Sequence, residues 1–238
     1  MMEYQAYFQK ISTLSEAKQA QMAEIYFQSY AGSDAQRFFS DLQNKDEVLL
    51  LTFSGHVIGF STIQIYRHAD AIIIYSGDTI VMPEHWKQQV LHKAWINRMA
   101  LLKQKNPDLL VYWLLLVKGL RTYKYLKVFA KTFYPHWKKQ EPKLKHLADS
   151  LAAEKFGSLY NPQTGVVECP EHYGYLQASL ANISPTLHTK PEVNFFMQKN
   201  PHYSRGHELV CLCEISPENV AERYRPCFVD PCVEFRNE

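Results

Sequence analysis

The sequence predicts an α/β (α+β) protein: a mixed, mostly antiparallel central sheet with helices on both faces and a helical to irregular insertion in the C-terminal third. Three observations carry this. β-rich runs at 47–53, 56–66 and 71–81 follow one another through short turns, which is how antiparallel strands are joined. A long helical stretch separates them from Leu109–Val117, LLVYWLLLV, an apolar run of strand length that suits a strand covered on both faces. Two late runs, 193–199 and 207–215, read as closing strands. The order is therefore β α α β β β α β α, an insertion, then β β, a layered fold rather than a simple doubly wound sheet.

In chain order, residues 4–10 make a first strand. Ser12 or Thr13, with Glu16 after it, resembles a helix N-cap, and an apolar stripe from Ala17 to Tyr30 ends at Ala31-Gly32. A short helix over Asp34–Leu42 follows. Ser54-Gly55 is a two-residue turn between β-rich arms. Gly59 marks a bulge or a close backbone approach, and Ser76-Gly77-Asp78 a bulge in the third arm. A helix is expected over Glu84–Gln104, closed by Asn106-Pro107. Another is expected after Lys118-Gly119, closed by Tyr134-Pro135, and a third over Pro142–Phe156. Ser216-Pro217-Glu218 caps a short helix before an irregular tail.

Composition limits the function classes. Twenty-six basic and 24 acidic residues leave a net charge of +2, which implies neither a nucleic-acid nor a membrane partner. One local bias stands out: Lys118–Lys145 holds nine Lys or Arg against Glu141 alone. It reads as a solvated basic face or as a site for an anionic ligand or an acidic carrier protein. Cys169, Cys211, Cys213, Cys227 and Cys232 make an odd number, and MMEYQAYFQK has no basic, then apolar, leader pattern. Reduced thiols and a cytoplasmic location are expected. No metal is expected, since the cysteines lack tight CxxC pairs with His partners. No run approaches the ~18 apolar residues of a membrane span. Phosphate-loop, GxSxG, HExxH and GxGxxG patterns are absent from the sequence.

The chemistry is expected where Val81-Met82-Pro83 passes into a helix. The first amides of a helix have no partner within it, and with the dipole they form a seat for phosphate. His85, His92, Asp78 and Glu84 are the ionisable groups nearest this seam. His titrates near neutrality and so suits a base. Lys118 and Arg121, at the start of the next helix, can hold a phosphate or a carboxylate. A further polar cluster, Asn200, His202, Tyr203, Arg205, His207 and Glu208, is expected between the last two strands as a lid over an acceptor site or as a plain hairpin loop.

The element order, with GHVIGF (55–60) in the hairpin and DTIVMPE (78–84) before the long helix, resembles the GCN5-related N-acetyltransferase (GNAT) superfamily over roughly residues 4–135, with 193–215 supplying its last strands. In that family the strand ends V-x-P and enters an Arg/Gln-x-x-Gly-x-Gly/Ala loop whose amides bind the pyrophosphate of acyl-CoA. Here the register gives Trp86, Gln89 and Leu91, or, shifted, Gln89, His92 and Ala94. Both glycines are replaced, so either the phosphopantetheine donor sits differently, for instance tethered to a carrier protein, or the fold has lost catalysis.

The resemblance implies one acyltransferase domain over 1–215, with an insertion at 136–190 and a helix and tail at 216–238. It implies an acyl-CoA or acyl-phosphopantetheine donor held by Ile80, Val81, Trp86, Gln89, His92, Lys118 and Arg121. It implies Tyr123 or Tyr125 as acid to the leaving thiolate; His92 and Asp78, as ionisable groups nearest the seam, are further catalytic candidates. The expected reaction moves an acyl group from acyl-CoA, or from an acyl carrier protein, to an amine or hydroxyl. The alternative is a non-catalytic module binding an acyl carrier or protein partner. A homodimer is compatible with either. The aromatic-rich C-terminal third is expected to shape the acyl or acceptor pocket.

Overall fold

The computed structural model describes residues 3–230. Its elements are β1 (Tyr4–Lys10), α1 (Glu16–Ser29), β2 (Tyr30–Ala31), α2 (Ala35–Gln43), β3 (Glu47–Phe53), β4 (His56–His68), β5 (Ala71–Val81), α3 (Val90–Lys105), β6 (Leu110–Val117), α4 (Leu120–Phe129) and α5 (Pro142–Phe156). They continue with β7 (Tyr160–Asn161), β8 (Val166–Val167), β9 (Tyr175–Leu176), α6 (Ala178–Ala181), α7 (Pro191–Lys199), β10 (Glu208–Glu214) and α8 (Arg225–Val229).

Eight strands form one sheet in the order β1-β3-β4-β5-β6-β10-β8-β7, and β2 pairs with β9 apart from it. Within the larger sheet only β5 and β6 run parallel. β6 is central and its side chains split between the two faces: Val111, Trp113 and Leu115 pack with α3 and α4, while Leu114 packs with α5. The near-continuous apolar pattern of LLVYWLLLV has this cause. On the second face, α1 and α2 cover β3 and β4 while α5 covers β5, β6 and β10.

Two details of the hairpin set the site. Leu51 pairs with Gly59 but Thr52 pairs with Val57, so Ile58 is extra. A Cβ on Gly59 would stand 2.8 Å from the carbonyl oxygen of Ile80, so glycine lets the end of β5 lie close. Farther along, Ser61 pairs with Thr79 and Ile63 with Ser76. Thr62 thus faces both Gly77 and Asp78, a bulge that bends β5 and re-aims the carboxylate. The pairing of β5 with β6 stops at Ser76 and Leu115, while β5 runs on to Val81 and β6 to Val117. The two strands part there.

Several expected elements differ. VNFFMQK belongs to a helix: Pro191 opens α7, Glu192 lies in its first turn, and Val193 and Phe196 are buried three residues apart. The sheet therefore gains one late strand, β10, whose outer neighbour β8 comes from the insertion. The long helix does not begin at Glu84; Pro83–His85 is a 3-10 turn and α3 starts at Val90. Helix α1 is capped by Ser15, whose Oγ accepts from the Lys18 amide, not by Ser12 or Thr13. Residues after Ser216 turn before the short α8, and Ser216 Oγ accepts from Asn219 N. Cys169, Cys211 and Cys213 are buried free thiols; Cys232 lies outside the described residues. No helix among the described residues is long and apolar enough to cross a membrane.

Candidate functional site

The parting of β5 and β6 opens into a cavity of about 850 Å³ on the second face, between α1–α2 and the α5 side. Asp78, Thr79, Ile80 and Val81 form one wall and Lys118 to Arg121 the other. Tyr26 from α1 and Tyr30 from β2 close one side, and Tyr173 and Leu176 from the insertion close another. The Arg37 guanidinium lies 3.2 Å from the centre of the Tyr173 ring, which ties α2 to the insertion.

Charge is concentrated at the floor. Lys118 follows the last residue of β6, and Glu208 precedes Leu209, the β10 partner of Val117. That register brings Lys118 Nζ to 3.4 Å from Glu208 Oε1. Burial works against the lysine charge, but Glu208, Tyr30 and Asp78 outweigh it and raise its pKa. The same Nζ lies 5.0 Å from the centre of the Tyr30 ring. Burial pushes Asp78 up to about 6, with Lys118 opposing. Cys169 donates to Glu208 at 3.8 Å, and burial pushes its thiol up to about 12, so it carries little thiolate near neutrality.

Behind the splay lies a pocket of about 20 Å³, room for one water, lined by His92, Trp95, Trp113 and Tyr125 among others. Gly77, Thr79, Thr122 and Tyr125 line both spaces and mark where they meet. His92 Nδ1 is buried without a hydrogen-bond partner, and the ring stands edge-on to Tyr125 at 5.0 Å. Burial, then Arg121 and Arg223, bring its pKa down to about 4. His92 is thus a neutral imidazole in a narrow pocket, not the base poised near neutrality that its residue type suggested.

The strand-to-helix junction is filled by its own chain. Gln88 Oε1 accepts from the amides of Val90 at 2.7 Å and Leu91 at 3.2 Å, which satisfies two of the first amides of α3, where the sequence places a pyrophosphate. Gln89 is exposed at the N-cap position and makes no capping bond. Trp86 Nε1 donates to the Val81 carbonyl at 2.6 Å, and Arg121 lies 3.8 Å over the Trp86 ring. Sequence reasoning missed Gln88 because nothing in the order Gln88-Gln89-Val90 says which amide group folds back.

The structure therefore brings Ile80, Val81, Trp86, Asp78, Tyr125, Lys118 and Arg121 around the cavity. It does not bring Tyr123, whose hydroxyl donates to the Pro135 carbonyl at 2.9 Å within a nest of Phe133, Phe195 and Phe196. His85 is pinned to β1 by Tyr4 at 2.9 Å, and Glu84 is exposed. Of the late polar cluster, Glu208 lines the cavity; Asn200 is buried in the chain turn, donating to the His207 carbonyl at 2.8 Å. Among the described residues no group of His, Cys, Asp or Glu could hold a metal ion.

No family model matches the chain, and no curated protein does. Several solved structures are similar in part. A conserved Enterococcus faecalis protein described as a probable N-acyltransferase is 12% identical with a TM-score of 0.41, over 55% of this chain and 33% of that one. Escherichia coli ElaA is 14% identical with a TM-score of 0.36, over 60% of this chain and 95% of that one. A GNAT-family acetyltransferase of Elizabethkingia anophelis with acetyl-CoA bound is 14% identical with a TM-score of 0.35, over 59% of this chain and 90% of that one. At 12% to 14% identity and TM-scores of 0.35 to 0.41, each of these is a partial likeness.

Proposed function

We propose that the chain is a GNAT-type acyltransferase that takes an acyl thioester into the splay between β5 and β6 and passes the acyl group to an amine or hydroxyl. The observation that carries this is the cavity at the splay with Asp78 in its wall, held at about 6. A carboxylate poised there is a general base near neutrality. The acceptor nitrogen or oxygen attacks the thioester carbonyl carbon, its bond to that carbon forms, and the C–S bond breaks. Asp78 receives the acceptor's proton, and Tyr125, at the meeting of the two spaces, supplies one to the departing sulfur; the Asp78 proton then returns to solvent and Tyr125 is reprotonated. Lys118 offsets negative charge as it develops.

A second reading, a non-catalytic module binding an acyl carrier or partner protein, is favoured by the self-capped junction and the buried hydroxyl of Tyr123. The test is free-thiol release from acetyl-, octanoyl- and palmitoyl-thioesters offered with a panel of amines and alcohols. Thiol release that falls about 100-fold in Asp78→Asn, within the usual worth of a general base, supports the enzyme. Saturable binding without thiol release supports the module.

A further inference from the structure

We infer that the acyl group arrives on a phosphopantetheine arm carried by an acidic carrier domain, with its single phosphate at Arg121, and not as CoA seated on α3. This rests on the thioester reading above. A diphosphate at the start of α3 would have to displace Gln88 from two amides that it already satisfies at 2.7 and 3.2 Å. It would also meet Gln89, Val90, Leu91 and His92, where no glycine lets an anion approach the backbone closely. Arg121 is different: exposed, at the cavity edge, with its guanidinium carbon 3.8 Å from the centre of the Trp86 ring. A planar fork fixed this way suits one phosphate.

The surroundings of Arg121 point to the carrier. Lys124 lines the same cavity edge, and Lys190 is exposed. Neither has an ion-pair partner among the described residues, whereas Lys127 is held by Glu192 at 2.9 Å. Burial, then the nearby Lys190, bring the Lys124 pKa down. Glu192 acts on Lys124 and Lys190 as well as on Lys127, but one acid against Arg121, Lys124, Lys127 and Lys190 leaves the entrance net positive, which favours a partner with an acidic face and steers its approach.

Binding to the whole chain by calorimetry tests this with three probes: octanoyl-CoA, S-octanoyl-4′-phosphopantetheine and a bacterial acyl carrier protein loaded with octanoate. The two small donors should bind within about threefold of each other, and Gln88→Gly should tighten octanoyl-CoA alone, by about tenfold. The loaded carrier should bind at least tenfold tighter than the free arm at low salt. It should lose that advantage at high salt and in the Lys190→Glu variant, whose changed residue lies outside the cavity lining and whose affinity for the free arm is unchanged. Octanoyl-CoA tenfold tighter than the free arm, or a carrier that adds no affinity, overturns the inference and leaves the thioester reading standing. Absence of binding by all three overturns both.

Discussion

The indole Nε1 of Trp86 donates to the main-chain carbonyl of Val81 at 2.6 Å, which folds the 3-10 turn after Pro83 back over the end of β5. The carbonyl belongs to the stretch that β6 has left unpaired, so a backbone acceptor that the splay exposes is satisfied by a side chain five residues on. Buried polar groups must find such partners. The same ring supports Arg121. Trp86→Phe keeps a surface beneath the guanidinium and removes the donor. Its urea midpoint should fall by the equivalent of about 1 kcal/mol, the usual worth of one neutral hydrogen bond. Trp86→Ala should fall further and also weaken donor binding, because Arg121 loses its platform.

Asp78 should make stability decline with rising pH. Its folded pKa of about 6 lies above the ordinary 3.8, with burial the largest cause, so the folded chain holds this proton where the unfolded chain has released it. The contribution is present in full below the ordinary carboxylate range and is lost as pH rises through about 6. Asp78→Asn removes the dependence. The asparagine variant should gain about 2 kcal/mol on the wild type between pH 4 and pH 8, read from urea midpoints. In activity, the wild-type rate should rise through pH 6 as the base ionises, and the variant should show no such limb.

His92 tilts the same window the other way. Its folded pKa of about 4 lies below the ordinary 6.5, through burial first and then Arg121 and Arg223, so the unfolded chain binds the proton more tightly. Stability from this group is present above pH 6.5 and is lost as pH falls toward 4. Asp78 and His92 therefore mask each other in the wild type. His92→Leu should remove the acid-side loss, leaving a chain that grows more stable on acidification by about 2 kcal/mol between pH 7 and pH 4. Fluorescence-monitored urea unfolding at four pH values separates the two slopes.

Much of the sheet was legible because its signals are local. Ser54-Gly55 between alternating arms fixes one hairpin, and Gly59 and Gly77 mark the irregularities that the register displays. The 193–199 run was misread because its composition is β-rich while the helix signals, Pro191 and Glu192, stand just outside it. The tyrosines could have been separated by helical phase: Tyr123 lies three residues from both Leu120 and Leu126, which are buried with it, and Tyr125 lies off that face. The floor of the site was not legible. Lys118 meets Glu208 only because β10 pairs with β6 in one register, and a long-range pairing leaves no mark in either neighbourhood. Gln88 is hidden for the opposite reason, since its contact is so local that only the backbone angles at Gln89 decide it.

Gly59 connects the hairpin to the site, and a single methyl should show it. A Cβ there would lie 2.8 Å from the Ile80 carbonyl oxygen, 3.0 Å from Val81 Cγ2 and 3.1 Å from Val81 Cα. Two of these are backbone atoms, so relief cannot come from a side-chain rotation; the end of β5 must move. Gly59 pairs with Val81, and pushing that residue away from β4 drives it toward the gap that β5 and β6 leave between them. Gly59→Ala should cost about 2 kcal/mol, as overpacking does, and should also weaken donor binding by narrowing the splay. Gly55→Ala is the matched control: nothing lies within 4 Å of its added methyl and its cost is backbone strain at φ +83° in the turn, so it should destabilise the hairpin and leave donor affinity unchanged. Urea midpoints and octanoyl-thioester titrations of the two variants, side by side, distinguish a glycine that serves the turn from one that sets the width of the seam.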